Sequence, residues 1–83
     1  MTQEQRAFYG KTVWAEVRKR RGNDFPDCMS SAEWAFLCWL MDADIPLAIV
    51  LRGIEDTREV KSLLYAKPAI ESAVTRWRKA QYA

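Results

Sequence analysis

Apolar residues recur along this chain at helical intervals, and no segment sustains the alternation of a half-buried strand. Near the start, Tyr9, Val13 and Val17 keep the i, i+4, i+8 spacing of an amphipathic helix, with Gly10 and Trp14 slightly to one side. Thr2 can cap this helix. Its last turn carries Arg18, Lys19, Arg20 and Arg21, where cations meet the negative end of the macrodipole, and Gly22-Asn23 stops it. Asn23 to Met29 reads as a loop, because Pro26 restricts Phe25 to extended conformations; Phe25 is the expected plug from this loop into the core.

Ser30-Ser31-Ala32-Glu33 matches a capping box and starts a second helix over about 31–42. From Trp34 to Met41 that helix is apolar around its whole circumference, the pattern of a helix at the centre of a bundle or of one that keeps a face for a partner. Asp42-Ala43-Asp44 ends it. A third helix begins near Pro46, with Leu47, Val50, Leu51 and Ile54 as its inner stripe, Ile49 beside them, and Gly53 marking a close approach to another backbone. Val60, Leu63 and Leu64 suggest a short helical turn, punctuated by Pro68. In the final helix Ile70, Ala73, Val74 and Trp77 hold i, i+3, i+4 and i+7. The expected fold is all-α: one domain over residues 1–83, a compact bundle of four to five helices around a central apolar helix at about 31–42.

Composition narrows the function classes. The 83 residues are 49% hydrophobic with four Trp, too apolar for a disordered chain. The longest apolar run covers 8 residues, against about 20 for a membrane span, and the polar N-terminus lacks the layout of a secretory signal, so the mature chain is expected to start at Met1 or Thr2. Cys28 and Cys38 are the only cysteines and there is no His, so neither a metal cage nor a disulfide scaffold is expected; both thiols read as reduced and the compartment as cytoplasmic. Without His, the side chain most often used near neutral pH, and without a Gly-rich phosphate loop or an activated nucleophile, the chain reads as non-enzymatic, with no cofactor and no small-molecule substrate. Asp42 and Asp44 lack the further oxygen ligands of a calcium loop.

The net charge of +2 conceals a segregation. Residues 1–21 balance at +4, residues 22–66 at −5 and residues 67–83 at +3. Two readings follow: complementarity between segments of one folded chain, or a basic face built from the two ends. The second would make Arg18, Lys19, Arg20, Arg21, Arg76, Arg78 and Lys79 contacts for nucleic-acid phosphates, with Trp77 or Tyr82 stacking on bases. Groove reading by the third helix is disfavoured, since its polar reach is only Arg52, Glu55 and Asp56. The leading expectation is a protein-interaction module whose Phe36, Trp39 and Leu40 dock a copy of the chain or another protein.

Trp39, Asp44-Ile45-Pro46-Leu47, Val50-Leu51-Arg52-Gly53-Ile54 and Lys61-Ser62-Leu63-Leu64-Tyr65 together resemble a pattern in a family of small bacterial all-helical proteins with no known activity, over roughly Ser30 to Tyr65. Its members more often carry Gly at the position of Asp44 and Cys at that of Ala66. The resemblance implies a bacterial or phage-related origin and supports the helix boundaries; it assigns no site residues.

Overall fold

The computed structural model describes residues 1–22 and 25–82, and all of its regular structure is helical. Four α-helices follow in order, α1 (Gln3–Arg21), α2 (Ser31–Asp42), α3 (Leu47–Glu55) and α4 (Lys67–Gln81), with a 3₁₀ turn at Leu63–Ala66 leading directly into α4. The all-α architecture expected from the periodicity is therefore observed. No helix among the described residues is long and apolar enough to cross a membrane.

Both capped starts are built as the sequence predicts. The Thr2 hydroxyl accepts the Gln5 amide at 3.1 Å while the Gln5 side chain accepts the Thr2 amide at 2.8 Å. Ser30 and Glu33 exchange the same pair of bonds at the start of α2. Gly22 closes α1 at φ 80°, a conformation open to glycine; Asn23, the other half of the expected stop, lies outside the described residues. At the next corner Asp44 adopts φ 54°, left-handed backbone that an L-residue reaches at some cost.

The core gathers Tyr9, Val13 and Val17 from α1, Leu37, Leu40 and Met41 from α2, Val50 and Ile54 from α3, Leu63 and Ala66 from the 3₁₀ turn, and Ile70 and Val74 from α4. The tightest pairing is α3 against α4. It depends on Gly53: a Cβ there would lie 2.5 Å from the Ile70 Cα, the close backbone approach expected of this residue. Two expectations need correction, and one alternative left open is decided. Phe25 does not plug the core but stays 37% exposed, on a surface stretch where Pro26, Asp27 and Cys28 are exposed as well. Pro68 does not separate the short turn from the last helix; it sits inside the first turn of α4, where its missing N–H has no intrahelical acceptor to lose. And α2 is not wrapped on every side: Glu33, Phe36, Leu37, Leu40 and Met41 form a buried stripe, while Trp34, Ala35 and Trp39 face outward.

Tyr9 ties α1 to the α2–α3 corner by donating its hydroxyl to the Ile45 carbonyl at 2.7 Å. Burial pushes its phenol above the ordinary value of 10.0, because the charged phenolate would lose its hydration. The folded chain therefore holds this proton where the unfolded chain releases it. Stability from Tyr9 is complete below about pH 10 and falls as pH rises past it. Urea unfolding across a series of alkaline pH values is expected to show this decline, and Tyr9→Phe is expected to flatten it while lowering neutral-pH stability by about 1 kcal/mol for the lost hydrogen bond.

Candidate protein-docking surface

α2 reaches the surface where the bundle has run out of helices to cover it. α1 covers one flank, with Gly10 letting the Leu37 side chain approach to 3.5 Å from a would-be Cβ, and the 3₁₀ turn covers part of another. The body of α4 leans on α3 instead. Between α2 and the start of α4 this leaves an open groove of about 580 Å³, floored by Ala32, Ala35 and Phe36, walled by Trp39 and Leu64, and rimmed by Lys67 and Glu71.

Local geometry stiffens this surface. Phe36 and Trp39, three residues apart on one helix, stack with ring centroids 6.2 Å apart and planes 12° from parallel. The Lys67 ammonium lies 5.4 Å from the centre of the Phe36 ring, within cation–π range, so a charged rim group rests on the aromatic floor. Two rigid aromatics and two alanines give apolar contact area with little rotamer freedom to lose on binding.

The three residues expected from the sequence divide. Trp39 is 47% exposed and forms a wall of the groove. Phe36 is only 7% exposed, yet its ring lines the groove floor. Leu40 is fully buried and cannot meet a partner: it follows Glu33 by seven residues and Leu37 by three, so it falls on the stripe that packs inward. Sequence reading missed Ala32, Ala35 and Leu64. A usable signal for Leu64 existed, since two consecutive leucines in one short turn cannot both point into the core, and Leu63 is the one that does.

The basic candidates are mostly engaged within the chain. Arg18 pairs with Asp27 at 2.5 Å and Arg20 with Glu16 at 3.0 Å. The Arg21 guanidinium lies 4.4 Å over the Trp14 ring and donates to the Pro26 carbonyl. Arg76 reaches Asp56 at 3.8 Å and the Ser72 hydroxyl at 3.0 Å. Lys19, Arg78 and Lys79 are exposed, and no ion pair holds them among the described residues. With Arg6 on Asp42 at 2.7 Å, three of these pairs join a basic end to the acidic middle, so the charge segregation is at least partly matched inside the fold. Trp77 is half-buried against the core, whereas Tyr82 is exposed.

Cys28 is exposed and Cys38 half-buried, and they are not bonded to each other. Among the described residues no three His, Cys, Asp or Glu side chains converge as metal ligands would. In comparisons with known proteins no family model matches this chain, and no curated protein or solved structure is significantly similar to it.

Proposed function

We propose that this protein is a non-enzymatic interaction module that self-associates through the groove between α2 and α4. The observation that carries the reading is the open face of α2, where Trp39 and the Phe36 ring sit beside Ala32, Ala35 and Leu64 with no helix among the described residues above them. An apolar face flanked by polar groups is the composition of an interface core and its rim. The rim argues for a second copy as the occupant. Lys67 and Glu71 are one turn apart on α4, and a two-fold axis across the groove would set Lys67 of one copy against Glu71 of the other, the self-complementarity that a two-fold interface requires. The unbonded thiols suit a reducing compartment such as the cytoplasm.

Light scattering over a concentration series tests this. The apparent mass is expected to rise from that of the 9.7 kDa monomer toward twice that value. Trp39→Ser should weaken the dimer by about 2 kcal/mol or more, as loss of a central aromatic anchor does, while leaving the thermal midpoint nearly unchanged at dilutions where both proteins are monomeric, because the ring is half exposed. Lys67→Glu alone should weaken association, and adding Glu71→Lys should restore it. A monomer at every concentration would overturn self-association and direct the search to a different protein as the occupant.

A further inference from the structure

A second cleft, sharing no residue with the groove, lies between the last turn of α1 and the segment that follows α3. Arg20 and Arg21 enter it from α1, Arg58 and Lys61 from the loop, and Phe25 and Val60 complete the walls, enclosing about 310 Å³. Helix-end electrostatics accounts for basic residues in the last turn of α1 but not for Arg58 and Lys61, which lie outside any helix. Among the described residues four cations converge here against one lining carboxylate, Glu59. Glu59 lies 3.5 Å from Lys61, and Glu16 is bound to Arg20 from outside the cleft. Arg58 has no ion pair among the described residues, and the Nε of the lining residue Arg21 is buried with no acceptor among them. A buried, unpaired guanidinium N–H is costly to leave unmade.

An adjoining depression of about 310 Å³ shares Arg21, Phe25 and Lys61 with this cleft and continues into Pro26, Cys28 and Met29, a mainly apolar lining. Glu33 on its wall already accepts two backbone amides. A charged pocket therefore opens into an apolar one. We propose that the pair of clefts binds a small phosphomonoester, with the phosphate among Arg20, Arg21, Arg58 and Lys61 and the apolar or aromatic remainder on Phe25 and Met29. A dianion with three terminal oxygens can pair with the Arg58 guanidinium and still accept from its cationic neighbours, which a single carboxylate cannot.

Titration of the intact chain with phenyl phosphate, followed by amide and arginine side-chain NMR shifts, tests the site. Saturable shifts are expected at Arg20, Arg21, Arg58 and Lys61 with a Kd of about 1 mM or tighter, and benzoate at matched ionic strength should bind at least about tenfold more weakly. Arg58→Glu with Lys61→Glu should abolish the shifts while leaving thermal unfolding intact. Should that pair disturb folding, Arg58→Gln alone should weaken binding about tenfold, and Arg78→Glu should leave it unchanged. The proposal is overturned by shifts that do not saturate, by benzoate binding equally well, or by binding that survives the loss of Arg58 and Lys61. Binding of a single-stranded oligonucleotide without phenyl phosphate would also overturn it, in favour of a nucleic-acid backbone.

Discussion

Gly53→Ala is expected to destabilise the fold by roughly 1–3 kcal/mol, although alanine is the better helix former by about 1 kcal/mol. The added Cβ would sit 2.5 Å from the Ile70 Cα, 2.6 Å from its Cγ1 and 2.8 Å from its backbone nitrogen. Two of those three atoms are main chain of α4, so no rotamer change relieves the overlap and the helices must part along their tightest contact. In a domain of this size each kcal/mol lowers the thermal midpoint by roughly 4–8 °C. Gly10→Ala supplies the opposite sign on the same chemistry: its Cβ would meet the Leu37 Cδ2 at 3.5 Å, ordinary van der Waals contact, so the helix-propensity gain survives and stability should rise by up to about 1 kcal/mol. Thermal and urea unfolding of both variants checks the pair. A Gly53→Ala protein at least as stable as the parent would mean that α3 and α4 do not approach as described.

Gly53 also shows which parts of the fold the sequence could disclose. A glycine inside a strongly apolar helical stripe has few reasons to be there other than backbone proximity, and the partner helix was the one thing it could not name. The caps at Thr2 and Ser30 were legible because each rests on residues three apart in sequence. The stripes of α1 and α4 were legible because polar residues mark their outer faces. α2 offered no such marker: with apolar residues on every side its pattern has no phase, so Leu40 and Trp39 looked equivalent although one is sealed and the other half open. The cleft residues Arg58 and Lys61 were hidden for a different reason, since they lie in an acidic stretch of sequence and meet Arg20 and Arg21 only through the packing of α1 against α3.

The second large effect is expected at Glu33, a buried carboxylate that holds together three pieces of chain. One oxygen accepts the Ser30 amide at 3.1 Å, completing the cap of α2; the other accepts the buried Leu63 amide at 3.0 Å, thirty residues away. Glu33→Ala removes both acceptors. The lost cap costs about 1 kcal/mol and the orphaned Leu63 N–H about 1–3 kcal/mol, so a total of roughly 2–4 kcal/mol is expected. Glu33→Gln keeps the shape but turns an NH₂ group toward one of the two N–H donors, and should fall between parent and alanine. Urea unfolding measures the totals, and amide hydrogen exchange locates them: protection at Leu63 should drop in Glu33→Gln before the core amides of α3 respond. The consequence reaches the surface, because this bond anchors the 3₁₀ turn on which Leu64 stands as a wall of the α2–α4 groove. A Glu33→Gln chain that is still folded should therefore self-associate more weakly than the parent, although Glu33 itself lies outside the groove. Unchanged association together with lost Leu63 protection would show that the wall at Leu64 contributes nothing to docking.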